Sequence, residues 1–259
     1  MSDLMETAVE AARIGGRILL EGRRRRPATV QDKGSNDFVT DVDRRSEEAI
    51  VEYIRGRHPD HSIVAEEGAD WEGSSGYRWL VDPLDGTTNY IHDYPCFAVS
   101  VGVWRGREGI AGAVLDPLRE ELFHAERGSG AWLGERRIHV SGASGLAGSL
   151  LVTGFPFREI DRLDAYLRSF RELFRRSAGI RRDGSAALDL CSVACGRLDG
   201  FWELGLSPWD LAAGIVIVNE AGGTVTDHEG TPEVLERGNV VAAPAGLHRE
   251  MLEVLEASS

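Results

Sequence analysis

The residues best suited to chemistry lie in one segment, Trp79–Asn89, which reads Trp-Leu-Val-Asp-Pro-Leu-Asp-Gly-Thr-Thr-Asn. Its apolar start predicts a buried strand that ends at Asp82, because Pro83 cannot extend the middle of a sheet. Gly86 permits a sharp turn, so the carboxylates of Asp82 and Asp85 can converge on one point just past the strand. Carboxylate oxygens are the ligands that Mg²⁺ prefers in proteins. The segment therefore predicts a metal site.

The residues that follow Asp85 add a place for an anion. Gly86 and Thr87 are predicted to begin a helix, whose free N–H groups and positive dipole end favour negative charge. Cation ligands beside such a place are what metal-assisted phosphate chemistry requires. An Asp-Gly pair alone is more often an ordinary turn. The full pattern of eleven residues favours the functional interpretation.

Two further acidic positions support this site. Glu66 follows a predicted strand over 62–65 and is the first of two adjacent acids, although acids at a strand end are usually solvated. Asp210 stands three residues after Ser207, with Pro208 between them, which is a well-formed helix start. A carboxylate in the first turn can cap its helix and still face a metal, so both interpretations of Asp210 stay open.

The elements that must position these residues alternate between helices and strands. The predicted helices cover 3–22, 41–57, 160–176, 185–195, 208–221 and 245–257. The predicted strands cover 62–65, 78–81, 97–104, 110–115, 121–125, 150–153, 200–203, 223–227 and 239–243. The polar stretch Gln31–Asp37 predicts a mobile loop. This order predicts a mixed α and β protein in two packed halves. Residues 1–150 would carry the metal motif and a large antiparallel sheet, and 151–259 the substrate wall and the last metal ligand.

Composition narrows the class of function. The formal net charge of -13 disfavours a nonspecific nucleic-acid binder, because phosphate contacts need basic side chains. No apolar run approaches the roughly 18 residues that cross a membrane. The first helix has acidic residues before its apolar stretch and basic residues after it, the reverse of a secretory signal, so we expect a cytoplasmic protein. Three cysteines do not indicate a disulfide framework.

The sequence resembles the inositol monophosphatase family over nearly its whole length. One family signature matches Asp82–Asn89, and a second begins at Trp209–Asp210 and leads to Glu220–Gly223. Further matches are Val39–Asp43, Ala65–Glu67 and Gly184–Leu188. The resemblance implies an α/β (α+β) fold with five alternating layers, the αβαβα sandwich of the inositol monophosphatase and sugar phosphatase type. It also implies a homodimer.

The resemblance implies two or three Mg²⁺ ions in each active site. One ion would be held by Glu66, Asp82 and the backbone carbonyl of Leu84. A second would be held by Asp82, Asp85 and Asp210. A third, looser ion would sit near Glu66, mostly through water. Inhibition by lithium is a further implication, because Li⁺ is close to Mg²⁺ in size but carries half its charge.

The resemblance also assigns catalytic and substrate roles. The catalytic residues would be Thr87, Asp43 and Glu66, with Thr87 and Asp43 as the pair that orients and deprotonates the attacking water. Contacts to phosphate or substrate would come from Gly86, Thr87, Gly184, Ser185, Ala186, Glu203 and Asp210. Glu203 resembles the acid that accepts hydrogen bonds from inositol hydroxyls. Lys33 resembles a lysine on the family's mobile loop that closes toward the phosphate.

The implied activity is Mg²⁺-dependent hydrolysis of inositol monophosphate or a similar small polyol phosphate. Other members of the superfamily cleave fructose 1,6-bisphosphate, histidinol phosphate or 3′-phosphoadenosine phosphates. Thr88 favours the inositol branch, because members that cleave the last two substrates often carry lysine there. The expected partner is a small phosphate ester, with no membrane and no direct nucleic-acid contact. An alternative of another class is a regulatory protein that binds transcription machinery.

Overall fold

Two helices, α1 (Asp3–Arg25) and α2 (Asp41–Arg57), begin the part of the chain that packs on the larger sheet. The computed structural model describes residues 1–25, 30–34, 37–157 and 159–258, with 30–34 and 37–39 in backbone only. Thr40 caps α2, because its side-chain oxygen accepts the N–H groups of Val42 and Asp43. The start of α2 therefore agrees with the sequence prediction.

The prediction of a loop over Gln31–Asp37 was wrong in part. Strands β1 (Val30–Gly34) and β2 (Asp37–Thr40) pair in an antiparallel hairpin whose ladder joins Val30 to Thr40. The polar, glycine-containing composition that favoured a loop is equally compatible with a short two-stranded ribbon. The hairpin leads directly into α2.

The larger sheet contains seven strands in chain order. They are β3 (Ser62–Ala65), β4 (Tyr77–Asp85), β5 (Ala98–Arg105), β6 (Glu108–Asp116), β7 (Glu121–Glu126), β8 (Gly130–Leu133) and β9 (Arg136–Ile138). Only β3 and β4 are parallel, and the other neighbours are antiparallel. A short helix, α3 (Thr87–Ile91), lies between β4 and β5.

Strand β4 continues past the predicted end at Asp82. Asp82 pairs with Ser100 and Asp85 with Ala98, so the ladder gains one extra residue on β4 between these two pairs. This bulge takes Pro83 out of the regular ladder, which is how a strand tolerates a residue that has no N–H group. Because side chains alternate between the faces of a regular strand, the extra residue lets Asp82 and Asp85 lie on the same face of β4.

The smaller sheet has the strand order β11-β10-β12-β14-β13. Its strands are β10 (Leu150–Thr153), β11 (Gly179–Arg181), β12 (Gly200–Glu203), β13 (Thr224–Thr226) and β14 (Val240–Ala243). Strand β10 is parallel to β11 and β12, whereas β14 is antiparallel to its two neighbours. The accompanying helices are a 3-10 turn (Ile160–Arg162), α4 (Leu163–Arg176), α5 (Ala186–Ala194), α6 (Pro208–Glu220), α7 (Val234–Arg237) and α8 (Ala245–Glu256).

The helices and sheets alternate in five layers. Helices α1 and α2 cover one face of the larger sheet, α5 and α6 lie between the sheets, and α4 and α8 belong to the outer side of the smaller sheet. This order agrees with the predicted αβαβα sandwich. The division into halves at residue 150 stays a prediction. None of the described helices has both the length and the apolar character to cross a bilayer.

Helix α6 approaches the larger sheet unusually closely. A Cβ atom on Gly112 would lie 2.6 Å from the carbonyl oxygen of Ala213, and one on Gly102 would lie 2.7 Å from the Cβ of Ala212. Glycine at these two positions lets the helix backbone rest on β5 and β6. This contact holds the start of α6, which carries Asp210, against the end of β4.

Candidate active site

One pocket of about 310 Å³ collects nearly all of the predicted site residues. It opens where β3 and β4 end and where α3, α5 and α6 begin. The predicted residues that line it are Glu66, Asp82, Leu84, Asp85, Gly86, Thr87, Gly184, Ser185, Ala186, Glu203 and Asp210. They come from both sheets and from sequence positions more than a hundred residues apart, so the fold itself assembles the pocket.

Asp82 is the most deeply placed acid of the pocket. Its side chain is 1% exposed and accepts the N–H of Leu84 at 2.9 Å. Burial is the main cause that raises its pKa well above the ordinary value, and the charges of Glu66, Asp85 and Asp210 raise it further. Three neighbouring acids therefore oppose the ionisation of Asp82 at the end of β4.

Asp85 is held from the second half of the chain. Its Oδ2 accepts the Ser185 hydroxyl at 2.5 Å and the Ala187 N–H at 2.8 Å. Burial is the main cause that raises the pKa of Asp85 to about 7, and the charge of Asp210 is the second cause. The two hydrogen bonds act in the opposite direction and offset only part of this increase. The sequence assigned Ser185 to the substrate wall, and the structure adds that its hydroxyl orients Asp85.

Asp210 both caps helix α6 and lines the pocket. Its Oδ2 accepts the N–H of Ser207 at 2.8 Å, which completes the start of α6. The same side chain lines the pocket and raises the pKa of both Asp82 and Asp85. The two interpretations that the sequence left open are therefore compatible.

The donor set of the pocket fits magnesium by its chemistry. The acids supply oxygen atoms alone, which suit a hard divalent cation. The raised pKa of Asp82 also indicates a place where added positive charge would relieve repulsion. Within the described ranges, however, no three His, Cys, Asp or Glu side chains form a complete metal-binding group.

Thr87 and Asp43 form a hydrogen-bonded pair at the edge of this acidic cluster. Thr87 Oγ1 lies 3.2 Å from Asp43 Oδ1 and 3.1 Å from the Leu84 carbonyl oxygen, so its one proton can be donated to either. Asp43 is fully buried, and burial raises its pKa to about 6. Thr40 donates its N–H to the other oxygen of Asp43 at 3.0 Å. The cap of α2 therefore also orients this carboxylate.

Asn89 connects the two sides of the pocket, a role that sequence reasoning missed. Its side-chain amide nitrogen lies 2.7 Å from the Cys96 carbonyl oxygen, 2.9 Å from that of Asp183 and 3.2 Å from that of Gly184. Two amide protons are thus shared among three carbonyl groups. The available signal was its position as the last residue of the acidic signature, because an amide can bridge backbone groups of separate loops.

A second group missed from the sequence is an aromatic and basic wall. Phe155, Phe157 and Arg182 line the pocket, and the Arg182 guanidinium lies 5.1 Å from the Phe155 ring centre and 5.4 Å from that of Phe157. Cation–π contacts of this kind can hold an arginine side chain in one orientation. The only sequence signal was the Phe-Pro-Phe run just after a predicted strand.

Comparison with known proteins identifies the family. A model of the inositol monophosphatase family matches residues 1–259. The chain belongs to the inositol monophosphatase family. It is 48% identical to Nus factor SuhB of Pseudomonas aeruginosa over 263 aligned residues, which cover 99% of this chain and 97% of that protein.

Solved structures agree with this membership. Extragenic suppressor protein suhB from Bartonella henselae superposes with a TM-score of 0.94 at 39% identity, and the match covers 98% of this chain and 99% of that one. Inositol monophosphatase from Anabaena (Nostoc) sp. PCC 7120 superposes with a TM-score of 0.88 at 40% identity, covering 98% of this chain and 95% of that one. The predicted family and the mixed fold with two main sheets are confirmed.

Two predicted site residues of this inositol monophosphatase family member, Asp43 and Lys33, are not among the described residues that line the pocket. Asp43 lies behind Thr87 and reaches the pocket through it, as the resemblance implies. Lys33 belongs to β1, and its side chain lies outside the described part of the structure. The assigned role of each site residue stays a prediction.

Proposed function

We propose that the protein is a Mg²⁺-dependent phosphomonoesterase that hydrolyses inositol monophosphate or a similar small polyol phosphate. The observation that carries the proposal is the meeting of Glu66, Asp82, Asp85 and Asp210 in one pocket beside the pair of Thr87 and Asp43. Membership of the family supports a phosphate ester as substrate. Mg²⁺ would be held by these acids and the Leu84 carbonyl.

The chain's own residues account for orientation and proton transfer. Bound Mg²⁺ would supply a more acidic water and neutralise charge on the phosphate. Thr87 Oγ1 can take a proton from an attacking water as its own proton passes to Asp43, which leaves the hydroxide oxygen to attack phosphorus. Burial places the pKa of Asp43 at about 6, so its carboxylate is ionised and able to accept that proton near neutral pH. The Gly86 and Thr87 amides are predicted to hold the phosphate oxygens.

Removal of metal is the first test. Phosphate release from inositol 1-phosphate should stop after exhaustive chelation and return when Mg²⁺ is added, with Mn²⁺ as a partial substitute, because the donors are all oxygen. The measurement is initial rate across a Mg²⁺ titration. Full turnover by chelated protein would contradict the proposal.

A substrate panel tests the alternatives within the superfamily. Rates on fructose 1,6-bisphosphate, histidinol phosphate and 3′-phosphoadenosine phosphate, compared with the rate on inositol 1-phosphate, would show which ester is preferred.

Glu203 should select the substrate without driving the chemistry. It ends β12 on the pocket wall, and a charged acceptor contributes roughly 1.5–3 kcal/mol to each hydrogen bond with a substrate hydroxyl. We expect Glu203→Gln to lower kcat/KM for inositol 1-phosphate by about ten- to a hundredfold. Hydrolysis of 4-nitrophenyl phosphate should hardly change, since an aryl group offers no hydroxyls.

The pattern of losses in Glu203→Gln discriminates between roles. Equal losses on both esters would make Glu203 structural or catalytic, and no loss on either would remove it from the site. A large loss on fructose 1,6-bisphosphate alone would favour the sugar bisphosphate as substrate.

A second candidate function is regulatory. The relative that is 48% identical over nearly the whole chain is named a Nus factor, a name that implies contact with transcription machinery. This name bears against the expectation of no direct nucleic-acid contact, whereas membership of the family supports the expected phosphate ester. The test is a pull-down of RNA polymerase from a bacterial extract with the wild-type protein and with an Asp82→Asn variant as bait. Capture that survives the loss of hydrolysis would support a separate regulatory function, whereas no capture would contradict it.

Homodimer formation and lithium inhibition stay predictions.

A further inference from the structure

The carboxylate of Glu203 lies directly against the backbone of Gly154. Strands β10 and β12 are parallel, with Val152 opposite Phe201 and Thr153 opposite Trp202. The next residue of each segment is therefore Gly154 beside Glu203. Both lie at the carboxyl ends of these strands, where Glu203 lines the pocket. A Cβ atom built on Gly154 would overlap Oε1, Cδ and Oε2 of Glu203. Any larger residue at position 154 must displace this carboxylate.

The need for glycine at 154 comes from space and not from backbone conformation. Gly154 is not among the glycines with positive φ, so its backbone can accept an L side chain without strain. The three atoms nearest to such a Cβ all belong to the end of the Glu203 side chain, which can move by rotation. Alanine at 154 should therefore change where the Glu203 carboxylate lies, with little effect on the fold.

The backbone at Gly154 cannot easily retreat to make room. Thr153 donates its hydroxyl to the Gly154 carbonyl oxygen at 3.1 Å, and the same hydroxyl lies 3.2 Å from that of Tyr166. Thr153 is completely buried and the Tyr166 side chain is nearly so, within the core between the smaller sheet and α4. These contacts fix the surface on which the Glu203 carboxylate rests.

We propose that Gly154 is a positioning residue that sets the place of the Glu203 carboxylate in the pocket, and through it the selection of substrates that carry hydroxyl groups. The inference rests on the proposed function, because it assigns Glu203 to hydroxyl recognition. Gly154 contributes no polar side chain of its own. Because glycine has no Cβ atom, the space beside its backbone is open, and the Glu203 carboxylate occupies that space.

The experiment compares Gly154→Ala with Glu203→Ala, the double variant and a control, Gly142→Ala. A Cβ on Gly142 would meet no atom within 4 Å, and its φ is not positive, so this variant tests the same substitution without a steric effect. Each protein is assayed on inositol 1-phosphate and on 4-nitrophenyl phosphate. Inhibition of aryl phosphate hydrolysis by myo-inositol and by inorganic phosphate measures binding of each product separately. Thermal unfolding reports on the fold.

Gly154→Ala should lower kcat/KM for inositol 1-phosphate by about tenfold, since a displaced carboxylate no longer accepts hydrogen bonds from the substrate hydroxyls in good geometry. Inhibition by myo-inositol should weaken, whereas inhibition by inorganic phosphate and turnover of the aryl ester should stay at the level of Gly142→Ala. In the Glu203→Ala background, Gly154→Ala should have no further effect, because no carboxylate is left to displace.

Three results would overturn the inference. They are equal losses on both esters, the same loss in the Glu203→Ala background, and unchanged selectivity in Gly154→Ala. Wild-type protein that hydrolyses neither ester, or hydrolyses the aryl ester alone, would instead overturn the proposed function. The two failures are therefore distinguishable in one set of measurements.

Discussion

Asp82→Asn should lower turnover by about a thousandfold or more and raise the melting temperature in the absence of Mg²⁺. Losing one ligand charge removes several kcal/mol of transition-state stabilisation, and about 1.4 kcal/mol corresponds to tenfold in rate. The stability effect has the opposite sign, because burial and the charges of Glu66, Asp85 and Asp210 disfavour the ionised form of Asp82. Asparagine removes that charge and can still accept the Leu84 N–H.

Asp116→Asn is a matched control for Asp82→Asn. Asp116 is also an acid at the end of a strand of the larger sheet and is 2% exposed, but it does not line the pocket. It accepts the N–H groups of Leu118 and Arg119 and pairs with the Arg119 guanidinium at 2.5 Å. Removing its charge should therefore lower the melting temperature and leave turnover unchanged. If Asp82→Asn behaved like Asp116→Asn, the acidic cluster would be structural only.

The acids of the site were predictable because their signals are local in sequence. Asp82 and Asp85 lie within one short segment, and Asp210 carries a helix-start pattern around it. Each of these signals describes a strand end or a helix end, and such ends are where backbone geometry constrains a side chain most strongly. The local pattern predicted that Asp82 and Asp85 converge, whereas the addition of Asp210 to the same pocket could be expected only from the family resemblance.

Several other contacts of the site could not be predicted, because they join distant parts of the chain. The Ser185 hydroxyl reaches Asp85 across a separation of 100 residues, and Asn89 reaches Asp183 across 94. The role proposed for Gly154 depends on the register of β10 and β12, which places it beside Glu203 and cannot be read from the sequence. The path of β4 through Pro83 likewise depends on the register of the neighbouring strand.

Thr87→Val should lower kcat/KM by about a hundred- to ten-thousandfold, the range typical of a lost acid–base group. Valine keeps the shape of threonine but cannot pass a proton to Asp43, whose Oδ1 lies 3.2 Å from the Thr87 hydroxyl. Thr87→Ser retains that hydroxyl and should keep most of the activity. The measurement is initial rate at saturating Mg²⁺ on inositol 1-phosphate and on 4-nitrophenyl phosphate. Both substrates should lose activity, which separates Thr87 from Glu203.

The pH profile gives this prediction a second, independent readout. Burial raises the pKa of Asp43 to about 6, so its carboxylate becomes protonated as the pH falls through that value and can no longer accept the Thr87 proton. At saturating Mg²⁺, which would keep Asp82 and Asp85 ionised, wild-type kcat/KM should therefore decline as the pH falls below about 6. The residual activity of Thr87→Val should lack that decline, because the variant has no proton to transfer to Asp43. A Thr87→Val variant with the full rate, or with an unchanged acidic limb, would show that water activation does not pass through this pair.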